Sequence, residues 1–155
     1  MSALTALPRE IDVRPAPAIR RILLATDLTT TSSAATDRAF ELARDLRAQL
    51  LVVSVIDVET GARSPHPLRM DQRRSARELA AQNLVLRGRR QGTGVSFLIW
   101  EGEPGPSIVD AALSEAVDLV VVGTHGRGAL GRLFIGSVSD YVVRNAACPV
   151  LVVRP

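Results

Sequence analysis

The chain has 155 residues, which is enough for one domain with a hydrophobic core of its own. Hydrophobic residues make up 46% and aromatic residues only 3%, so Val, Leu, Ile and Ala must build that core. All 19 basic residues are Arg and the net charge is only +3, which excludes lysine-dependent chemistry and argues against a basic, aromatic nucleic-acid surface.

Three features of the chain bear on its compartment and its domain organisation. No apolar run approaches the roughly 20 residues of a membrane span, and the N-terminus lacks the pattern of a signal peptide. Cys148 is the one cysteine and cannot form an intrachain disulfide, so we expect a cytoplasmic protein without a membrane partner. Residues 1–18 hold three prolines and no periodic pattern, which predicts a flexible extension before a single domain over residues 19–155.

Short apolar runs alternate with segments of helical periodicity along the rest of the chain. The predicted strands are Ile22–Thr26, Leu50–Ile56, Val95–Trp100, Leu119–Val122 and Val150–Val153. The predicted helices run from Ala34 to near Gln49, from Leu68 to Arg90, from Pro106 to Ala116 and from Ser137 to Asn145, with N-caps for the first among residues 29–33. This alternation predicts an α/β fold: a single doubly wound, mostly parallel sheet of five strands with helices on both faces.

In such sheets, ligands bind beyond the carboxyl ends of the strands. Those ends carry Asp27, Asp57 and the glycine-rich stretch from Gly123 to Ser137. A strand that leads through glycines into a helix presents free backbone N–H groups to a phosphate, so we interpret this stretch as the functional centre.

Three glycine motifs overlap in this stretch. Gly126 to Gly131 spells G-x-G-x-x-G, but it follows the fourth strand and no acidic residue ends the next one, which disfavours a dinucleotide fingerprint. Arg132 and Leu133 occupy the Lys and Ser/Thr positions of a P-loop, which excludes that motif. The third pattern, G-x2-G-x9-G-S, begins at Gly123 and agrees at every specified position.

With this third pattern the chain resembles the nucleotide-binding members of the universal stress protein family. The resemblance spans residues 20–155 and includes Ala25-Thr-Asp27, Val55-Ile-Asp57 and the C-P-V-L-V-V that begins at Cys148. It implies a Rossmann-like, adenine nucleotide alpha hydrolase-like fold with strand order 3-2-1-4-5. It also implies that ATP or another adenine nucleotide (AMP, ADP or cyclic AMP) binds, with Mg²⁺ carried by the phosphates.

The predicted site combines the physical requirements of an anion with this resemblance. Glycines let the backbone approach a ligand, and the start of the last helix favours negative charge. Asp27 can accept hydrogen bonds from ribose hydroxyls or help to hold the nucleotide's metal ion. The predicted nucleotide-binding residues are Ala25, Thr26, Asp27, Val55, Val122, Gly123, Thr124, Gly126, Arg127, Gly136, Ser137 and Val138, with no residue assigned to catalysis.

Three functions remain open at this point. The first is a cytoplasmic stress-response regulator that binds an adenine nucleotide as a sensor or switch. The second is a weak ATPase or autokinase that involves Thr124, His125 or Ser137. The third is a protein-interaction module whose nucleotide site is vestigial or tuned to another ligand, such as cyclic AMP. The apolar last strand forms a sheet edge in the resembling family, so a homodimer through Val150–Val153 is expected as well.

Overall fold

A computed structural model describes residues 18–58, 70–124 and 136–155 of the chain. The strands are β1 (Arg21–Ala25), β2 (Gln49–Asp57), β3 (Val95–Gly102), β4 (Leu119–Gly123) and β5 (Val150–Val153). The helices are α1 (Ser33–Leu46), α2 (Met70–Gln91), α3 (Pro104–Ser114) and α4 (Ser137–Asn145), and a 3-10 turn, Thr30–Ser32, precedes α1. The strands form one sheet of order β3-β2-β1-β4-β5 with parallel pairing throughout, so the predicted fold and strand order are confirmed.

Two apolar layers cover the sheet because successive residues of each strand point to opposite faces. On one face, Ile22 and Leu24 pack with Phe40 and other buried residues of α1. On the other face, Leu23 and Ala25 pack with Ile108 of α3 and with the buried residues of α4. β1 lies in the middle of the sheet, so its four C-terminal residues are buried from both sides.

The first helix ends earlier than its periodicity predicts. Arg47 adopts a left-handed conformation (φ 54°), and the N–H of Ala48 donates to the carbonyl of Ala43 at 2.8 Å, which closes α1 at Leu46. Gln49, the predicted end of the helix, instead begins β2 and donates its N–H to the carbonyl of Arg20 at 2.8 Å. Pairing with β1 therefore overrides the local helical pattern.

The turn predicted after the third strand is shorter than the sequence suggests. β3 continues to Gly102, which pairs with Asp57, and α3 begins at Pro104 rather than Pro106. A proline suits the first helical position because its missing N–H has no helical partner there. The helix ends at Ser114, and Ala116, the predicted end, lies beyond it with φ 50°.

Three arginines lie near the end of α2, and one of them makes contacts within the fold. The Arg87 guanidinium donates to the Asp37 carboxylate of α1 at 2.7 Å and lies 4.2 Å from the centre of the Phe40 ring. Arg89 and Arg90 are exposed at the end of α2. Within the described ranges, no helix combines the length and the apolarity that a membrane crossing needs.

Candidate functional site

An apolar slot of about 160 Å³ lies at the carboxyl ends of β1, β2 and β4. Of the predicted site residues, it is lined by Ala25, Thr26, Asp27, Val55, Val122, Gly123, Gly136 and Val138. These residues come from three strands and from the start of α4, so the parallel sheet brings together positions more than 100 residues apart in the chain. Ligand pockets measure roughly 300–1,000 Å³, so the slot accommodates part of a ligand, such as a planar base.

A second, more polar cavity of about 430 Å³ adjoins the slot and shares Pro104 and Val138 with it. Asp57, Glu103, Ser137 and Tyr141 contribute the polar groups of its lining. The two cavities together offer an apolar recess with a polar, solvent-facing extension. This division matches a ligand that has an apolar, planar part and a hydrophilic part.

The residues at the start of α1 form a hydroxyl network around Asp27. Asp27 Oδ1 accepts hydrogen bonds from the N–H of Thr29 (3.0 Å), from Thr29 Oγ1 (2.7 Å) and from Ser32 Oγ (3.0 Å). Ser32 Oγ is also hydrogen-bonded to Thr26 Oγ1 at 2.8 Å. Ser32 stands at the N-cap of α1 but makes no side-chain cap bond, because its hydroxyl is directed to Asp27 and to the carbonyl of Thr29.

This network keeps Asp27 ionised. Partial burial alone raises the pKa of Asp27, but the hydrogen bonds from Thr29 and Ser32, together with the charge of Arg77, outweigh it and hold the pKa below its ordinary value. The hydrogen bonds from Thr29 and Ser32 all go to Oδ1, and the ionised carboxylate of Asp27 is among the groups that line the slot.

Asp27 also fits the predicted role toward Mg²⁺. Protein-bound Mg²⁺ typically takes one or two carboxylates and completes its shell with phosphate oxygens and water. An ionised carboxylate that lines the slot can be one such ligand. In the described parts of the chain, no group of three His, Cys, Asp or Glu residues is arranged around a metal position.

The backbone at the end of β4 lies close to α1. A Cβ built on Gly123 would point toward α1, 3.6 Å from Cβ of Ala35, so this residue lines the slot with its backbone. The next residue, Thr124, is buried and donates its N–H to the carbonyl of Val153 at 3.1 Å. Thr124 lines neither of the two cavities, and its backbone N–H is used by the sheet.

The start of α4 faces both cavities. Gly136 is the N-cap and makes no side-chain cap bond, while the N–H of Asp140 donates to its carbonyl at 2.9 Å as the first helical hydrogen bond. Ser137 is exposed and lines the second cavity, whereas Ser139 is buried and lines the slot. The positive end of the helix dipole therefore points into the region where the two cavities meet.

Part of the predicted site falls outside the described residues. The predicted site residues in this part are Gly126 and Arg127; His125, Gly128, Gly131 and Arg132 of the same glycine-rich stretch also lie outside the described residues.

The slot also contains residues that the sequence did not single out. Val53 lies two positions before Val55 and therefore on the same face of β2, so strand periodicity could have found it. Pro104 and Ile108 lie four positions apart on α3, and only the packing of α3 over β2 directs them to the slot. Ser32 and Ser139 complete the lining.

Comparison with known proteins is consistent with this architecture. A model described as the universal stress protein family matches residues 18–154. A universal stress protein of Methanocaldococcus jannaschii is 30% identical over 139 residues, which cover 87% of this chain and 82% of that protein. The solved structure of a universal stress protein family member from Burkholderia pseudomallei is similar at a TM-score of 0.72 and 29% identity, over 90% of this chain and 98% of that one.

A further solved structure holds a ligand. It is a universal stress protein in complex with cAMP, similar at a TM-score of 0.67 and 24% identity over 88% of this chain and 98% of that chain. At this identity the likeness is one of fold.

Proposed function

The chain belongs to the universal stress protein family, and from that premise we propose that its slot binds an adenine nucleotide. The observation that carries this proposal is the convergence of Asp27, Val55, Gly123 and Gly136 on one apolar slot at the carboxyl ends of parallel strands. Nucleotides bind at this position in open α/β sheets. The complex of a related fold with cAMP supports the same class of ligand.

The two cavities suggest how such a ligand lies. The base enters the slot between Val55, Val122 and Ile108, where apolar side chains cover its faces. The ribose lies beside Asp27, whose ionised carboxylate accepts a hydrogen bond from a hydroxyl group. The phosphates extend toward Gly136 and Ser137, where the helix dipole and the free N–H groups favour negative charge.

Within the cell, the protein acts as a cytoplasmic stress-response regulator, a sensor or switch rather than an efficient catalyst. ATP with Mg²⁺ is the nucleotide first expected, and AMP, ADP and cAMP fit the same slot. Two copies associate as a homodimer through β5, which lies at the edge of the sheet. A binding role is supported by the described part of the site, which offers an apolar slot for the base and a helix start that favours an anion. Rapid phosphoryl transfer needs an oriented nucleophile in addition to these binding groups.

The test is ligand-induced stabilisation. A ligand at 100 times its dissociation constant stabilises the folded state by about 2.7 kcal/mol, which shifts the unfolding midpoint of a domain of this size by several degrees. We expect such a shift with ATP and Mg²⁺, AMP or cAMP, measured by thermal unfolding. If none of these three ligands shifts the unfolding midpoint at millimolar concentration, the proposed function is contradicted.

A variant that fills the slot gives the matched comparison. Ala25 is 6% exposed and its side chain lies on the face of β1 that borders the slot. In Ala25→Leu the larger side chain occupies the space of the base, so the protein folds but its nucleotide-induced shift is lost. Ala76→Leu, at an exposed position of α2, controls for the added apolar volume and keeps the full shift.

A further inference from the structure

Arg77 reaches the buried face of the sheet that lies opposite the slot. Ser54 lies on β2 between Val53 and Val55, which both line the slot, and its own side chain is fully buried on the opposite face of the sheet. Arg77 of α2 donates a hydrogen bond from Nη1 to Ser54 Oγ. A charged group therefore lies behind the strand that lines the slot, and the serine that it contacts is the neighbour of both Val53 and Val55.

Anchoring of α2 does not explain this pair. Arg73 already donates to the carbonyl of Asp57 at 3.4 Å, and Arg74 donates to the carbonyl of Ile99 at 3.2 Å and to the Glu101 carboxylate at 2.8 Å. Replacing a buried polar or ionic contact by apolar residues of similar volume is often neutral or stabilising. A buried serine that faces an arginine therefore adds little stability to a helix that other contacts already hold in place.

The register of the sheet places this guanidinium near Asp27. Ala25 pairs with Val53, and the N–H of Thr26 donates to the carbonyl of Val53 at 3.0 Å, so the pairing continues one residue past β1. Thr26 therefore lies beside Ser54, and Asp27 is the next residue along. Neighbouring strands are about 4.8 Å apart, so the Arg77 guanidinium is hydrogen-bonded to the residue that stands beside Thr26, one position before Asp27. The Arg77 charge is also among the groups that lower the pKa of Asp27 against the opposing effect of burial.

We propose that Arg77 is a positioning residue of the nucleotide site, whose positive charge offsets the Asp27 carboxylate and so reduces the repulsion between this carboxylate and the phosphates of the ligand. This inference rests on the proposed nucleotide function. Without that charge, the phosphates would approach an uncompensated carboxylate, and the repulsion would increase with the negative charge of the ligand. Arg77 itself stays behind the sheet and does not need to touch the nucleotide.

The experiment compares ligands that share a base and a ribose but differ in charge. Dissociation constants for adenosine, AMP and ATP are measured by titration calorimetry for the wild type, Arg77→Gln and Arg77→Lys. Gln keeps a donor for Ser54 without the charge, and Lys keeps the charge. We expect Arg77→Gln to bind ATP roughly tenfold more weakly, AMP less affected and adenosine nearly unchanged, with most of the loss restored in Arg77→Lys.

Arg74→Gln is the matched control, since it removes the same charge from the same helix at a residue bonded to the end of β3. Its losses should be small and similar for the three ligands. If Arg77→Gln is too unstable to assay, the double variant Arg77→Leu/Ser54→Val fills both positions with apolar groups and should show the same dependence on ligand charge. Circular dichroism verifies that each variant is folded.

The outcomes separate this inference from the proposed function. A loss in Arg77→Gln that is equal for adenosine, AMP and ATP, or no loss at all, overturns the role of Arg77 and leaves nucleotide binding in place. A wild-type protein that binds none of the three ligands overturns the proposed function, and this inference with it.

Discussion

At the scale of single residues, Asp118 joins two distant segments of the chain. Its Oδ2 accepts hydrogen bonds from the backbone N–H groups of Arg20 (2.8 Å), just before β1, and of Arg21 (2.9 Å), the first residue of β1. These two hydrogen bonds hold the pKa of Asp118 below its ordinary value. A carboxyl group whose pKa is lower in the folded state contributes stability above its unfolded pKa, about 3.9, and loses that contribution as the pH falls through the folded pKa.

We therefore predict that Asp118→Asn lowers the free energy of unfolding at pH 7 by about 1 kcal/mol, a value at the low end because solvent screens the site. The difference from the wild type should narrow as the pH falls from about 4 through the lowered folded pKa, because the wild-type carboxyl group becomes protonated over this range. Urea unfolding at pH 7 and pH 3 measures both values. Asp45→Asn, at an exposed position of α1, should change neither, and an equal loss for Asp118→Asn at both pH values would refute the argument.

At the scale of elements, α2 differs from the other helices in how it packs. Only Ala81 and Gly88 are buried along its 22 residues, while Leu79 is 64% and Leu86 47% exposed. Its arginines reach the ends of β2 and β3 and the side chain of Asp37, so polar contacts supply much of its attachment. The sequence pattern predicts an amphipathic helix here, but the structure shows that small residues and arginines make much of the contact, together with the partly buried Met70 and Leu84.

Gly88 sets how closely α2 approaches β3. A Cβ at this position would lie 2.3 Å from Val95 Cγ2 and 2.7 Å from the carbonyl oxygen of Thr93, and neither neighbour is the free end of a flexible side chain. We predict that Gly88→Ala destabilises the protein by about 1–3 kcal/mol despite the better helix propensity of alanine, because overpacking outweighs it. Chemical denaturation measures the change.

Ser75→Ala provides the comparison for Gly88→Ala. Ser75 is exposed on the same helix, so this change should alter the free energy of unfolding by less than about 0.5 kcal/mol. A stable Gly88→Ala protein would mean that α2 can move away from β3 at little cost.

At the scale of the whole molecule, β5 forms one edge of the sheet, and its residues Val150–Val153 are each half-buried in the single chain. An apolar edge strand tends to pair with another strand, and an antiparallel pair of β5 strands would make a two-fold dimer. We predict a homodimer that Val152→Glu converts to a monomer, because a charge at the edge opposes pairing. Analytical ultracentrifugation at micromolar concentration measures the mass.

A control variant and a folding check keep this test specific. Leu79→Glu places the same charge on α2, at a residue that is 64% exposed, and should leave the dimer intact. Val152 also contacts the apolar layer beneath α3 and α4, so the variant's circular dichroism must resemble that of the wild type before its mass is interpreted. A wild-type protein that is monomeric at micromolar concentration would contradict the predicted dimer.

Local sequence was sufficient for most of the architecture. Runs such as Val150–Val153 predict their strands because a buried parallel strand needs continuous apolar side chains, and α4 matches its predicted bounds. Local patterns failed where long-range pairing decided the outcome. Gln49 joined a strand because β1 offered it a partner, and Glu101 and Gly102 extended β3 because β2 lies beside them.

The candidate site divides in the same way. The sequence by itself predicted Asp27, Gly123 and Gly136 as site residues, because strand ends and a helix start are local features, and the resemblance to a family added Val55. These four residues line the slot. Only the tertiary structure placed Ile108 and Pro104 over the slot, directed Ser32 to Asp27 and set Arg77 against Ser54. Such contacts join residues whose separation along the chain carries no periodic signal, so the packing of helices on the sheet decides them.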